Sequence, residues 1–276
     1  MKSLMWFRND LRMDDNPALR EACKSSDEVH AIYIYSQNQN KKHNEANCKT
    51  EFFIENLKVL ESKLSNINIP LNIIHSEGFK DNSEVISNYV KNNSLNKVFW
   101  NNQFGIDESE RDLSVQNYLK GKNIEFENFD EQVVFAPGTI LTGEGKPYSV
   151  FTPFKRRWIE NFNLDLLDIE FEYTKKNAPK IKSNVNEFDF QFKKINQVDM
   201  SLWPAGEEEA LSRLKEYLDK NIFRYAQDRN DPIVDGTSRL SAYLASGIIS
   251  PKRCILEALK INNFELDAGE KGIVKW

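Results

Sequence analysis

The first 130 residues alternate short apolar runs with longer amphipathic runs, and this alternation limits the possible folds more than any other feature of the chain. The short runs predict five strands, at 4–7, 30–35, 71–75, 97–100 and 124–129. The longer runs predict helices at 16–24, 82–91 and 108–120, and a further helix with an apolar stripe of Phe53, Leu57, Leu60 and Leu64. Because strands that alternate with helices pair in parallel, we expect an α/β, Rossmann-like parallel sheet.

A sheet of this kind usually binds a nucleotide-like ligand at the carboxyl ends of its strands. The first strand, however, runs into the sequence Arg8-Asn9-Asp10-Leu11-Arg12 and not into a Gly-x-Gly-x-x-Gly turn. We therefore do not expect a dinucleotide held by a phosphate loop in this part of the chain.

Beyond residue 130 the pattern changes twice. The periodicity weakens over 131–200, where four prolines interrupt the chain, Pro137, Pro147, Pro153 and Pro179. From 201 onward the patterns are helical, at 207–220 with one face formed by Ala210, Leu211, Leu214 and Leu218, and at 237–246 up to Gly247. Ser250 and Pro251 are typical of an N-cap and the first residue of a helix. We expect an α/β domain at 1–130, a long interdomain linker at 131–200 and an all-helical domain that starts at 201–276.

Composition excludes some classes of protein and leaves others open. No run of about 18 apolar residues is present, and the start of the chain runs into Arg8 and Asp10 before an apolar region can develop, so we expect no membrane span or signal peptide and a cytoplasmic location. The three cysteines, Cys23, Cys48 and Cys254, are far apart and predict neither a disulfide framework nor a zinc site. The formal net charge of −5 does not exclude a basic stripe that binds DNA.

The segment 235–247 carries the residue pattern most typical of a binding site. Gly236 allows a close approach, Thr237 or Ser238 would begin a helix where free amides favour an anion, and Arg239 would add a forked donor for phosphate. Serine or threonine at such a position fits plain helix capping equally well. The pattern by itself therefore leaves phosphate binding and capping open.

Three segments, in this order along the chain, resemble the photolyase and cryptochrome family. They are Trp6-Phe7-Arg8-Asn9-Asp10-Leu11-Arg12 with Asp15-Asn16-Pro17-Ala18-Leu19, then Phe151-Thr152-Pro153-Phe154-Lys155, and then Gly236-Thr237-Ser238-Arg239-Leu240-Ser241. The resemblance spans the whole chain and is closest to the folate-class cyclobutane pyrimidine dimer photolyases. It implies an α/β antenna domain, a long linker and a helical domain that encloses FAD.

The resemblance also implies an activity and its partners. An excited, reduced flavin would give an electron to a pyrimidine dimer flipped out of damaged DNA, and the dimer would split. FAD would be bound by Tyr225, by Trp276 and around its phosphates by Thr237, Ser238, Arg239, Leu240 and Ser241. Arg229 would contact DNA, and the complete protein would act as a monomer without a membrane.

Folate-binding members of the family use a loop histidine before a long helix and an acidic residue at a helix start after the fourth strand. His43, Asp107 and Glu108 fall at those places, which implies a 5,10-methenyltetrahydrofolate antenna rather than a deazaflavin. A single loop histidine is also typical of plain surface, and Asp107 with Glu110 fits a capping box. These alternatives stay open from the sequence.

The family's lesion-contacting residues correspond to positions beyond Trp276, so the resemblance assigns no catalytic residue in this chain. We expect the chain as given to end inside the flavin-binding domain, to bind FAD weakly and to be inactive. Two other interpretations remain, a cryptochrome-type blue-light sensor and a non-catalytic truncated remnant.

Overall fold

The computed structural model describes residues 1–191 and 199–276, so residues 192–198 of the predicted linker lie outside the described residues. One five-stranded parallel sheet organises the first half of the chain, in the order β3-β2-β1-β4-β5. Its strands are β1 (Lys2–Phe7), β2 (Glu28–Tyr35), β3 (Leu71–His75), β4 (Lys97–Asn101) and β5 (Glu125–Phe129). All five predicted strands and the predicted α/β class are confirmed.

Helices cover both faces of the sheet. Successive residues of a strand point to opposite faces, so β1 places Met5 and Phe7 in one buried core and Leu4 and Trp6 in the other. The helices of this part are α1 (Pro17–Ser25), α2 (Gln37–Lys42), α3 (Asn47–Ser65), α4 (Asn82–Asn92) and α5 (Ile106–Gly121). The predicted stripe of α3 is buried at all four positions. No pattern predicts α2, because its six polar residues bury nothing.

The predicted linker is not irregular throughout. It contains α6 (Phe151–Asn161), which buries none of its own residues and so has no apolar stripe facing a core. Pro153 is tolerated there because it lies in the first turn, where a backbone N–H has no partner within the helix. Further along, the side chain of Asn184 accepts from the Ile73 backbone N at 2.7 Å and donates to the Ile73 carbonyl at 3.0 Å. The linker thereby covers the edge strand β3.

The last part of the chain contains α7 (Glu207–Lys220), α8 (Tyr225–Asp228), α9 (Ser241–Ala245), α10 (Pro251–Ile261) and α11 (Lys271–Lys275). The predicted bounds of α7 are confirmed, and so is the start of α10, where the Ser250 hydroxyl accepts from the Arg253 backbone N at 2.9 Å. The predicted helix at 237–246 is wrong, since only 241–245 is helical. Arg239 has a φ of 51°, a left-handed conformation that a right-handed helix cannot include.

The helical part packs directly on the α/β part. Phe52 of α3 meets Tyr243 of α9 edge to face, with ring centroids 5.6 Å apart. The Gly206 backbone N donates to the Asn56 side chain at 2.8 Å, and Arg12 donates to the Gly247 carbonyl at 3.0 Å. Among the described residues, no helix is long and apolar enough to cross a membrane.

Candidate functional site

A cavity of about 120 Å³ opens at the carboxyl end of the sheet, between strands β1 and β2 and helices α2, α3 and α5. The strand order reverses between β1 and β4, and the cavity is also lined by Arg8 and Asn9, which follow β1, and by Gln103, which follows β4. Such a reversal of strand order separates the connecting loops and leaves a crevice, which is where ligands of open α/β sheets bind. The cavity wall is aromatic and charged, and includes Trp6, Arg8, Tyr35, Phe79, Arg111 and Phe190.

The predicted antenna residues converge on this cavity. His43, at the end of α2, and Glu108, in the first turn of α5, both line it. Asp107 lines a second cavity beside it and lies 3.0 Å from His43 Nε2 and 2.8 Å from Lys42 Nζ. Hydrogen bonds from Lys42 and His43 hold the pKa of Asp107 below its usual value. The structure therefore brings all three predicted residues to one place.

The start of α5 settles the role of Asp107 in helix capping. The helix begins at Ile106 with Gly105 as its N-cap, and no side chain caps it. The capping box of Asp107 with Glu110 is therefore wrong, because Asp107 is already the second helical residue. Glu108 is the third, and its carboxylate lies against Gly105.

Two buried arginines form the inner wall of the cavity, and sequence reasoning missed both. Arg8 Nη1 donates to Asp112 Oδ1 at 3.0 Å, and Arg111 Nη2 donates to the same oxygen at 2.7 Å and to Gln103 Oε1 at 2.8 Å. Arg111 follows Glu108 by three residues, a spacing that places both on one helix face and could have indicated it. Phe190 comes from the linker, where no sequence pattern points to the cavity.

The predicted flavin residues lie on the helical part. Thr237, Arg239 and Ser241 are exposed, Ser238 is half-buried and Leu240 is buried. Arg239 Nε is 2.9 Å from a carboxylate oxygen of Asp235. The predicted helix start at Thr237 or Ser238 is wrong, since α9 begins at Ser241 and has only five residues. What remains is an accessible loop of hydroxyl groups and one guanidinium group.

Tyr225 and Trp276 each lie beside the ring of a third aromatic residue, Tyr217. The ring of Tyr217 lies 6.4 Å from that of Tyr225 and 5.4 Å from that of Trp276. Arg229, predicted to contact DNA, directly follows α8 and is exposed. The two cavities described above include none of these residues.

The cysteines are free thiols. Cys23 and Cys254 are buried and Cys48 is half-buried. Burial raises the pKa of Cys23 and of Cys254 to about 12. Within the ranges 1–191 and 199–276, no group of three or more His, Cys, Asp or Glu residues is arranged to hold a metal ion.

Comparison with known proteins gives consistent matches along the chain. The sequence profile of the family described as DNA photolyase matches residues 3–179. Deoxyribodipyrimidine photo-lyase from Escherichia coli is 33% identical over 271 residues, which cover 96% of this chain and 56% of that protein. This chain thus spans little more than half the length of that relative.

Two solved structures share the fold. A bacterial class III photolyase from Agrobacterium tumefaciens superposes with a TM-score of 0.80 at 25% identity, covering 94% of this chain and 54% of its own. A cryptochrome from Synechocystis superposes with a TM-score of 0.81 at 20% identity, covering 100% of this chain and 58% of its own. At 20% identity, the likeness to the cryptochrome is one of fold alone.

Proposed function

The chain belongs to the DNA photolyase family, and from this premise we propose that the protein acts, as a monomer, in the light-driven repair of cyclobutane pyrimidine dimers in DNA. In this proposal it is a deoxyribodipyrimidine photo-lyase, a carbon–carbon lyase with FAD as electron donor and 5,10-methenyltetrahydrofolate as antenna. The observation that carries the proposal is the cavity at the end of the sheet, on which His43 and Glu108 converge in a member of this family.

The chemistry of the cavity fits a folate. The Glu108 carboxylate can accept two N–H groups of a pterin ring side by side, a pairing that only a carboxylate makes with full charge assistance. His43 is positioned by its contact with Asp107 and packs edge to face on Phe79, with ring centroids 5.9 Å apart. The aromatic wall supplies flat apolar contacts of the kind that line small-molecule sites. When bound, a methenyl folate supplies absorption in the near ultraviolet.

The helical part fits FAD through its accessible polar groups. Thr237, Ser238 and Ser241 offer hydroxyl groups, and Arg239 would exchange the carboxylate of Asp235 for a phosphate. Leu240 anchors this loop in the core, while Tyr225 and Trp276 would lie against the rest of the cofactor from their place around Tyr217. When bound and reduced, FAD supplies the light-driven electron.

The DNA contact in this proposal is Arg229. Its side chain is exposed just after α8, close in sequence to the proposed flavin residue Tyr225. An exposed guanidinium suits a DNA phosphate, which positions the duplex without reading its sequence.

Repair is tested by illuminating dimer-containing DNA with the protein expressed from its native gene, and by varying the wavelength. We expect dimers to be lost in the light and to persist in the dark, and the addition of the methenyl folate to raise the yield of repair in the near ultraviolet. Light that leaves the dimers intact, with DNA and FAD both bound, would contradict repair and favour a cryptochrome-type sensor.

A further inference from the structure

Trp6 is a side chain of the proposed antenna cavity that would quench an excited ligand by electron transfer. Its side chain is almost fully buried and lines the cavity, and its ring lies 6.0 Å from that of Trp100. Indole is the most easily oxidised of the aromatic side chains. Next to a light-excited ligand, Trp6 would lose one electron to that ligand and regain it when the charges recombine, and the excitation would be dissipated as heat.

Two positive charges lie on the ring of Trp6. The guanidinium carbon of Arg8 is 4.2 Å from the ring centroid, and that of Arg111 is 5.0 Å away. Both distances are within the range of a cation–π contact. Removal of an electron from Trp6 would place a third positive charge beside these two, in a buried region where repulsion is poorly screened.

Asp112 pairs with both guanidinium groups, and Asp10 and Glu131 also act electrostatically on Arg8. Arg8 and Arg111 share one oxygen of Asp112, and Arg8 Nε and Nη2 have no hydrogen-bond partner among the described residues. Burial lowers the pKa of Arg8 to about 10, which still leaves it protonated at neutral pH. Both guanidinium groups are charged and in contact with the Trp6 ring.

We infer that Arg8 and Arg111 make Trp6 difficult to oxidise and so protect the excited state of a ligand in the cavity from quenching by electron transfer. This inference rests on the antenna function proposed above. It assigns the two arginines a tuning role that ligand binding alone does not require.

The two tyrosines of the cavity wall are consistent with this role. Tyr33 and Tyr35 both line the cavity, and burial raises the pKa of each phenol above its usual value. A phenol is readily oxidised only when it can give up its proton. Both phenols therefore keep their protons at neutral pH.

The test measures the fluorescence lifetime of 5,10-methenyltetrahydrofolate bound to the 276-residue chain. Unbound folate is removed, and excitation is at a wavelength that tryptophan does not absorb. Because a lifetime reports each bound molecule, a change in occupancy does not alter it. We expect Arg111→Met, which keeps the side-chain length and removes the charge, to shorten the lifetime by about twofold or more because the repulsion at Trp6 is reduced.

Two companion variants separate tuning from a structural effect. Arg111→Lys keeps the charge and should keep the lifetime near that of the unsubstituted protein. Trp6→Phe in the Arg111→Met background should restore the lifetime, because phenylalanine is much harder to oxidise. If Arg111→Met fails to fold, as judged by circular dichroism, Arg8→Met takes its place with the same rescue.

The outcomes distinguish this inference from the proposed function. An unchanged lifetime in Arg111→Met and Arg8→Met, or a shortened one that Trp6→Phe does not restore, overturns the inference and leaves the antenna intact. If the unsubstituted chain binds no folate in an absorption titration, the proposed antenna and the inference fall together before any lifetime is measured.

Discussion

Glu108 is the single side chain on which the proposed antenna site depends most. It lies at the third position of α5 and lines the cavity together with His43, which ends α2. A carboxylate there benefits from the positive end of the helix and can still pair with donors of a ligand. Glu108 can therefore contribute both to the stability of α5 and to ligand binding.

Replacement of Glu108 by glutamine separates these two contributions. We expect Glu108→Gln to weaken folate binding by about tenfold to a hundredfold, since a hydrogen bond to a charged group contributes about 1.5–3 kcal/mol. The measurement is an absorption titration with 5,10-methenyltetrahydrofolate.

Glu84→Gln is the matched control, because Glu84 is also the third residue of its helix, α4, and lies away from both described cavities. It should lose the same helix-end interaction and keep the folate. Equal folate affinities in the unsubstituted protein, Glu108→Gln and Glu84→Gln would contradict a role of Glu108 in folate binding.

The residues that sequence reasoning found and missed differ in a physical way. His43, Asp107 and Glu108 were predicted from family resemblance, because they sit at recognisable places next to helices. Arg8 belongs to the first segment of that resemblance, yet its hydrogen bond to Asp112 of α5 joins residues 104 positions apart, which no local pattern encodes. Phe190 reaches the cavity from a linker without periodicity.

At the scale of elements, the loop after β1 and the end of α9 approach each other closely. Gly247 follows α9 with a φ of 65°, and a Cβ atom there would lie 2.5 Å from the carbonyl carbon of Asn9 and 2.6 Å from the Cα of Asp10. Arg12 from the same loop donates to the Gly247 carbonyl. Only glycine meets both the backbone and the space requirement at this position.

Gly247→Ala should therefore destabilise the protein by about 3 kcal/mol, from the left-handed conformation and the backbone clash together. Gly145→Ala is the matched control, because Gly145 has a φ of 75° and open space around it, and it should lose only about 1 kcal/mol. Urea unfolding measures both. Equal losses of stability in the two variants would mean that the backbone around Gly247 moves to accommodate the methyl group and that the close approach to Asn9 is not a constraint.

Capping and proline signals predicted the start of a helix correctly, whereas apolar periodicity alone did not predict the extent of another helix. Ser250 and Pro251 begin α10 as expected, because capping acts within one turn. The helix expected at 237–246 is interrupted at Arg239, although its residues carry no glycine or proline before Gly247. Sequence periodicity cannot show it, because the spacing of apolar residues carries no information on the left-handed backbone of Arg239.

On the scale of the whole molecule, one buried core runs from the sheet into the helical part. At its margin Arg253 of α10 makes two hydrogen bonds to Asp14, at 2.7 and 2.9 Å, and one to Glu170 at 2.9 Å. Asp14 and Arg253 are 239 residues apart in sequence, so no sequence pattern predicts their contact. The contact between Asp14 and Arg253 and the shared core join the α/β part, which carries the proposed antenna cavity, to the helical part, which carries the proposed flavin residues.

The exposure of the proposed flavin residues at 237–241 determines how tightly the 276-residue chain can bind FAD. Thr237, Arg239 and Ser241 lie on the surface, and Arg239 is already paired with Asp235, so these groups offer a surface site and not an enclosed one. We expect the purified chain to bind FAD weakly and to lose it on gel filtration. A yellow protein that retains near-stoichiometric flavin in its visible spectrum would show that these residues enclose the cofactor more fully than their exposure implies.

A crystal structure of this chain grown with 5,10-methenyltetrahydrofolate would test the proposed antenna site most directly. We expect the pterin ring inside the cavity at the carboxyl end of the sheet, with its N–H groups donating to Glu108 and with His43 beside it. A folate bound elsewhere on the chain, with the space between Glu108 and Arg111 left empty, would contradict it.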